Sequence, residues 1–236
     1  MTIASPADPA SGQSWTLGRM AFQLSEDVEA YVLACSVSYG ASGAALVAET
    51  AALGDPAVMM LAKEEYALLR FLAGALGCTR ALDVGTFTGL SALAFAEGMG
   101  PGGRVVSIDR HREWVEIAKR HWKSAGVLDR IDLRQGEAID VLAELAGASE
   151  ALFDIVFLDI DKARVHDYFR ATLDLLSPKG VVIVDNTVWH GWVLEPDRRD
   201  PDTQGLRVFN EAVARDAKLE VVLVPVGDGL TLIRRR

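Results

Sequence analysis

Polar residues at the ends of two predicted strands are the ones best suited to chemistry. The two strands are predicted at 153–159 and 180–185, and each ends in an aspartate. Neighbouring parallel strands end at one edge of a sheet, about 5 Å apart, so these side chains should converge. Carboxylate and amide oxygens suit a hard cation such as Mg²⁺. The predicted metal ligands are Asp159, Asp185 and Asn186.

Asp161 and Lys162 follow the first of these strand ends directly. Beside a bound cation the ammonium of Lys162 would be destabilised, so its amine could take a proton from a hydroxyl that the metal has acidified. Asp161 or Asp185 alone could instead cap a following helix, and Lys162 could be a solvated lysine or an ion-pair partner of Asp161. The aspartate pair with its asparagine favours the cation site, with Asp159 and Lys162 as catalytic candidates.

A glycine loop, GTFTG at 85–89, follows the first predicted strand. Two glycines let the backbone turn tightly and approach a ligand that a Cβ would exclude. Asp109 ends the next strand, 24 residues after Gly85, where a carboxylate can accept hydrogen bonds from both hydroxyls of an adenosine ribose. Asp109 could also simply cap the helix that begins near His111. The third glycine of GxGxxG is absent, which argues against a nicotinamide-dependent oxidoreductase.

Aromatic residues follow the second acidic strand end in a Gly/Pro/Asp-rich loop that runs to Gly205. A flat acceptor ring could stack on them, or the two tryptophans could pack the loop against the protein. We predict substrate contact for Trp189, His190 and Trp192. The other histidines show no metal-ligand spacing such as HxxxH.

Short apolar strands alternate with amphipathic helices from residue 80 onward, which predicts a parallel sheet with helices on both faces. Residues 219–226 and 230–234 flank Gly227-Asp228-Gly229 and predict a closing hairpin. Upstream, the sequence predicts two helices in 24–53, broken around Tyr39, Gly40 and Gly43, and a third over 58–76. The remaining strands are predicted at 80–84, 104–109 and 130–134, and the remaining helices at 89–97, 111–125, 137–146, 163–176 and 203–216.

Length and composition predict one domain and a small-molecule partner. The 236 residues are 50% hydrophobic, enough for one sizeable α/β core. We predict a disordered tail at 1–13 and a single domain at 14–236, made of a helical region, 14–76, and an α/β core, 77–236. The net charge of -9 argues against nucleic-acid and anionic-membrane binding, because both need a basic surface. Neither a targeting segment nor a membrane span is readable, so we expect a cytoplasmic protein.

Taken together, these motifs resemble the cation-dependent O-methyltransferases of the catechol and caffeoyl-coenzyme A type. The resemblance runs from about Met59 to Arg234, and the first 55 residues show no assignable match. Six segments carry it in order: LDVGTFTGLSAL, VVSIDR, GVLDRIDLRQGEA, FDIVFLDIDKARV, GVVIVDNTVWHG and PVGDGLTLIRR.

The resemblance implies a seven-stranded, Rossmann-like class I methyltransferase sheet with its last strand inserted antiparallel. It also implies S-adenosylmethionine as methyl donor, Mg²⁺ or another divalent cation, a vicinal dihydroxyaromatic acceptor and a homodimer. In its terms, Asp159, Asp185 and Asn186 bind the metal, and Lys162 is catalytic. The implied cofactor contacts are Gly85 and Ser91 at the methionine end, Asp109 at the ribose, Ala138 at the adenine, and Met59 and Asp161 at the border of cofactor and substrate.

Three positions depart from the family pattern. Tyr66 stands where many relatives have glycine, His190 replaces a common asparagine, and Asp83 stands where glutamate is frequent. These departures bear on the acceptor rather than on the reaction. Two alternatives stay open beside the cation-dependent enzyme. One is a metal-independent methyltransferase of the same fold that acts on a nitrogen or an isolated hydroxyl, and the other is a noncatalytic S-adenosylmethionine-binding protein.

Overall fold

The computed structural model describes residues 26–36, 38–148 and 152–236. The chain divides into two compact units, Met1–Cys35 and Ser36–Arg236. The first unit contains one described helix, α1 (Glu26–Cys35). The predicted tail at 1–13 and the predicted domain start at residue 14 lie outside the described residues.

The second unit follows the predicted alternation of strands and helices. Short 3-10 turns at Asp55–Met59, Leu128–Arg130, Lys162–Arg164, Leu173–Leu175 and Trp189–Leu194 connect the main elements. In chain order these are α2 (Gly40–Ala51), α3 (Lys63–Ala75), β1 (Arg80–Val84), α4 (Leu90–Met99), β2 (Arg104–Asp109), α5 (Arg112–Ser124), β3 (Ile131–Gln135), α6 (Ala138–Gly147), β4 (Phe153–Leu158), α7 (Val165–Thr172), β5 (Leu176–Val184), α8 (Pro201–Arg215), β6 (Leu219–Val224) and β7 (Leu230–Arg235).

The seven strands form one sheet in the order β3-β2-β1-β4-β5-β7-β6. Strands β1 to β5 pair in parallel, whereas β7 is antiparallel to both β5 and β6. The fold prediction is therefore confirmed, including the antiparallel hairpin at the end. Strands β4 and β5 are neighbours, with Leu158 opposite Val184. The next residues, Asp159 and Asp185, consequently leave the sheet at the same edge.

Alternating apolar side chains build one core on each face of the sheet. In β4, Ile155 and Phe157 pack with α2 to α5, whereas Val156 and Leu158 pack with α6 to α8. All four are essentially inaccessible to solvent, and burying such a side chain contributes about 1.5–3 kcal/mol. The two cores hold the strand ends rigidly at the edge where the polar residues emerge.

Several predicted boundaries were wrong. The helix predicted over 58–76 begins only at Lys63, because Asp55–Met59 is a 3-10 turn and Met60 is extended. Gly43 lies inside α2, where a Cβ would come within 2.8 Å of the Tyr39 side chain. Strand β5 begins at Leu176 rather than at residue 180 and includes Pro178 and Gly180. Its pairing with β4 shifts register between Phe153 and Ile155. Among the described helices, none is long and apolar enough to cross a membrane.

Candidate active site

A cavity of about 720 Å³ opens at the carboxyl ends of the parallel strands. Its lining includes residues from both sets of predicted site residues, those that follow β1 and β2 and those that follow β4 and β5. Ser91 and Trp192 do not line it. The predicted site residues that do are Met59, Gly85, Asp109, Ala138, Asp159, Asp161, Lys162, Asp185, Asn186, Trp189 and His190.

The glycine loop is shaped by close contacts within the protein. Gly85 has φ +102°, and a Cβ there would overlap the carbonyl oxygen of Asp159. Gly89 has φ +94°, and a Cβ there would lie 2.7 Å from the Trp122 ring, whose indole N–H donates to the Gly89 carbonyl at 2.9 Å. Both glycines are therefore needed to bring the strand end, the loop and α5 together.

A buried network of polar side chains packs behind the glycine loop and supports it. The Ser107 hydroxyl donates to Asp83 at 2.6 Å and lies 2.6 Å from the Thr86 hydroxyl. Burial raises the pKa of the Asp83 carboxyl to about 7, although hydrogen bonding from Ser107 and Ser91 acts in the opposite direction. Asp83 and Ser91 thus lie behind the loop and support it, and Ser91, predicted at the methionine end of the cofactor, does not line the cavity.

Asp109 makes two structural hydrogen bonds at the edge of the sheet. Its carboxylate accepts the backbone N–H of Phe87 at 2.7 Å and that of His111 at 2.8 Å. The helix-capping alternative is not borne out, because the N-cap of α5 is His111, with no side-chain capping bond. The same side chain lines the cavity, and a carboxylate has about four acceptor sites. Capacity for ribose hydroxyls therefore remains beside the structural bonds.

Aromatic rings beside Asp109 were missed at the sequence level. Phe87, at φ +47° in the glycine loop, packs edge-on against Trp114 with ring centroids 4.9 Å apart. The His111 ring is tilted by 45° against the Trp114 ring, with ring centroids 4.1 Å apart. All three line the cavity and provide flat apolar surface for a planar base. Because Phe87 lies within the glycine loop, its place in the sequence was enough to predict that it lines the cavity.

Four ionisable side chains meet at the other end of the cavity. The Lys162 ammonium lies 2.7 Å from the Asp159 carboxylate, and Glu65 and Asp185 are both almost completely buried. Burial raises the pKa of Asp185 well above its ordinary value, and repulsion from Asp159 and Glu65 adds to this rise. Burial likewise raises the pKa of Glu65, with Asp159 contributing in the same direction. The cluster thus holds more carboxylates than its one ammonium can neutralise.

Burial and three neighbouring carboxylates act in opposite directions on the pKa of the Lys162 ammonium. Burial lowers the pKa of its ammonium, but the attraction of Asp159, Asp185 and Glu65 is larger in sum, so the pKa is raised. The prediction of a destabilised ammonium therefore applies only where a bound cation offsets these carboxylates. Lys162 is mostly buried, with 11% of its side chain exposed, and it lines the cavity.

The donor set fits a hard divalent cation. Asp159, Asp185 and Asn186 all line the cavity and can offer carboxylate and amide oxygens, and the buried carboxyl of Glu65 lies close by. Within the described ranges, no three His, Cys, Asp or Glu side chains form a group that could hold a metal ion. The candidate ligand set accordingly depends on the amide of Asn186 as its third member.

Asp161 caps the short turn Lys162–Arg164. Its carboxylate accepts the Ala163 N–H at 3.0 Å, and Asp202 accepts the same N–H at 3.1 Å. The capping role that the sequence allowed for Asp161 is confirmed. Both carboxylates also line the cavity, so capping does not remove Asp161 from the candidate site.

Residues 186–192, here called the acceptor loop, bring aromatic side chains to the cavity. Trp189 and His190 line it and have φ +51° and +55°. Trp192 packs against Trp189 with ring centroids 5.9 Å apart, and the Arg198 guanidinium carbon lies 3.3 Å from the centre of its ring. Trp192 thus packs within the protein, as the second interpretation of the tryptophans allowed. The Arg198 guanidinium covers one face of its ring, and Trp192 does not line the cavity.

Tyr66, one of the departures from the family pattern, belongs to the core. Its ring is fully buried, its hydroxyl donates to Glu97 at 2.6 Å, and it packs against Tyr39 at 5.0 Å. Tyr66 does not line the cavity, so this substitution affects packing rather than acceptor contact.

Comparisons with known proteins agree with this site. The sequence model of the O-methyltransferase family matches residues 36–236, so the match begins earlier than the motifs indicated. Mouse catechol O-methyltransferase domain-containing protein 1 is 41% identical over 174 residues, 73% of this chain and 66% of the mouse protein. Eucalyptus globulus caffeoyl-CoA O-methyltransferase 1 is 32% identical over 186 residues, 75% of each chain.

Solved structures share the fold as well. The O-methyltransferase TomG from Streptomyces achromogenes, which takes part in tomaymycin synthesis and was solved with S-adenosylmethionine, is 31% identical. It superposes with a TM-score of 0.80 over 89% of this chain and 96% of its own. The family match covers most of the chain and includes every residue of the cavity described above. The chain therefore belongs to the O-methyltransferase family that contains catechol and caffeoyl-coenzyme A methyltransferases, and it is an S-adenosylmethionine-dependent methyltransferase.

Proposed function

We propose that this chain transfers the methyl group of S-adenosylmethionine to one hydroxyl of a vicinal dihydroxyaromatic acceptor, with the help of a divalent cation such as Mg²⁺. The observation that carries this proposal is the convergence of Asp159, Asp185, Asn186 and Lys162 at one end of the cavity, beside the buried carboxyl of Glu65.

The cofactor end of the cavity supports binding of the methyl donor. Asp109 has free acceptor capacity for ribose hydroxyls, Phe87 and Trp114 offer flat surfaces, and Ala138 begins α6 beside them. The methionine end would pass Gly85 and approach Asp161 and Met59. The carboxylates along this path suit a positively charged sulfonium, whereas a polyphosphate would be repelled.

The acceptor end supports activation of a hydroxyl. Asp159, Asp185 and Asn186 would hold the cation, whose positive charge would acidify a hydroxyl of the acceptor and offset the carboxylates around Lys162. Nζ of Lys162 then accepts the hydroxyl proton. The oxygen attacks the methyl carbon, the carbon–sulfur bond breaks towards sulfur, and the sulfonium leaves as a neutral thioether. Trp189 and His190 would hold the ring in line for this displacement.

Two acceptors that differ by one hydroxyl test this proposal. We expect methyl transfer to a simple catechol in Mg²⁺ to exceed transfer to the matched phenol by about 10³-fold in kcat/KM, because only the catechol offers two oxygens to the cation. Product formation is followed by mass spectrometry at saturating S-adenosylmethionine. Equal rates for the two acceptors would favour a methyltransferase that acts on an isolated hydroxyl. Donor binding without any turnover would favour a noncatalytic binding protein.

A further inference from the structure

The turn between β6 and β7 is joined to the acceptor loop by several hydrogen bonds. The Thr187 N–H donates to the Gly229 carbonyl at 2.9 Å, and the Val188 N–H donates to the Asp228 carbonyl at 3.0 Å. The buried Thr231 hydroxyl donates to the Thr187 hydroxyl at 2.8 Å. These bonds fix the turn beneath the loop that carries the aromatic residues.

Close backbone approach makes this contact possible. Gly229 has φ +91°, and a Cβ there would overlap the Val188 side chain. Any larger residue would push the turn away from the loop. The glycine therefore brings the preceding residue, Asp228, within reach of His190.

The carboxylate of Asp228 holds the most strained part of the acceptor loop. Its Oδ1 accepts the His190 N–H at 2.6 Å, and its Oδ2 lies 3.8 Å from His190 Nδ1. Only 18% of the Asp228 side chain is exposed, so water competes weakly for this charge-assisted bond. Among the described residues, Oδ2 has no hydrogen-bond partner. The bond to the backbone N–H is thus the principal contact of the carboxylate.

The hydrogen bond from the His190 N–H to Asp228 is important because residues 189–191 all have left-handed backbone conformations. Trp189 and His190 both have positive φ, and Gly191 follows at φ +81°. Two adjacent side-chain-bearing residues seldom adopt this conformation, because each costs free energy relative to the right-handed region. A bond from a shielded carboxylate to the second of them offsets part of that cost. Without it, the backbone would relax and move both rings.

We propose that Asp228 is a positioning residue for the acceptor: its carboxylate holds Trp189 and His190 in place and so determines which of two neighbouring hydroxyls receives the methyl group. This inference depends on the proposed function, because it takes the cavity end beside Lys162 as the acceptor site. Both oxygens of a catechol can face the cation in either of two ring orientations. The walls formed by Trp189 and His190 select between them.

Product ratios and acceptor kinetics test the proposal with paired variants. The acceptor is an asymmetrically substituted catechol whose two monomethyl products can be separated. In Asp228→Ala the KM for this acceptor should rise about tenfold, as expected for loss of a charge-assisted bond, and the product ratio should move towards one. The KM for S-adenosylmethionine should change less than twofold. Asp228→Asn keeps an oxygen acceptor for the His190 N–H and should restore most of the ratio.

Asp216→Ala is the matched control. Asp216 also accepts a backbone N–H in a turn, that of Lys218 at 2.9 Å, but it does not line the cavity. Its loss should leave the acceptor KM and the product ratio unchanged. If Asp228→Ala is folded and shows wild-type acceptor KM and product ratio, the proposal is wrong.

A stability measurement keeps the proposal testable even if Asp228→Ala folds poorly or the wild type fails to methylate catechols. Glycine adopts positive φ without strain, so the double variant Asp228→Ala/His190→Gly should regain most of the melting temperature that Asp228→Ala loses. No recovery in the double variant, with His190→Gly alone stable, would contradict the positioning role. Absence of wild-type turnover would instead count against the proposed function.

Discussion

Asp159→Ala is expected to lower kcat/KM for a catechol acceptor by about 10³-fold or more. Asp159 directly follows β4, the central strand of the sheet, lies 2.7 Å from the Lys162 ammonium, and is one of the two carboxylates in the candidate ligand set. Its removal therefore takes away a metal ligand and the partner that orients the base. Steady-state assays at saturating Mg²⁺ measure the loss, and calorimetry with S-adenosylhomocysteine measures donor binding, which should change only a few-fold.

Asp174→Ala is the control for this variant. Asp174 is exposed and does not line the cavity, so its kinetics should match the wild type. An Asp159→Ala enzyme that keeps at least a tenth of wild-type activity would show that neither the cation nor the base depends on this carboxylate.

Lys162→Met is expected to lower kcat by about 10²–10⁴-fold at neutral pH, the usual contribution of a general base. Methionine keeps much of the side-chain volume in this mostly buried position and removes the amine. The loss should be much smaller with a nitrocatechol, because its hydroxyl is already largely ionised near neutral pH and needs no base. The ratio of the two losses therefore reports proton transfer separately from positioning.

Lys179→Met controls for loss of a lysine charge, because Lys179 is exposed and distant from the lining residues. It should have no effect on either acceptor. Equal losses for the two acceptors in Lys162→Met would assign Lys162 a purely positioning role and contradict the proposed proton transfer.

The part of the site at the strand ends could be predicted because parallel sheets obey strong geometric rules. Once β4 and β5 are neighbours, Asp159 and Asp185 must leave the sheet together. The glycine loop and Asp109 follow the same rule at β1 and β2. Local pattern and sheet topology therefore determine this half of the cavity from the sequence.

Residues that reach the cavity from distant segments could not be predicted in this way. Glu65 comes from the first turn of α3 and meets Asp159 and Asp185 only after the helix packs on the sheet. In the sequence it is one of two glutamates in the first turn of a helix, and its Oε2 accepts the N–H of the N-cap residue Ala62 at 2.9 Å. Asp228 likewise reads as a turn residue in a hairpin. Neither role has a local sequence signal.

Two of the residues predicted to contact a ligand, Ser91 and Trp192, do not line the cavity. Ser91 hydrogen-bonds to Asp83 behind the glycine loop, and Trp192 packs against Trp189. Motif position identifies which segment is near a ligand, but side-chain direction and packing decide which residue contacts it. The raised pKa of Lys162 has a similar origin, because three carboxylates from different elements surround it.

Removal and return of the cation test the central claim most directly. The protein is treated with excess chelator, dialysed, and assayed with S-adenosylmethionine and a catechol, before and after addition of Mg²⁺. We predict a loss of activity of at least about 10³-fold on chelation and recovery on addition of Mg²⁺, with donor binding little changed throughout. Full activity in the chelated protein would contradict a cation-dependent transfer and leave a metal-independent methyltransferase as the function of this cavity.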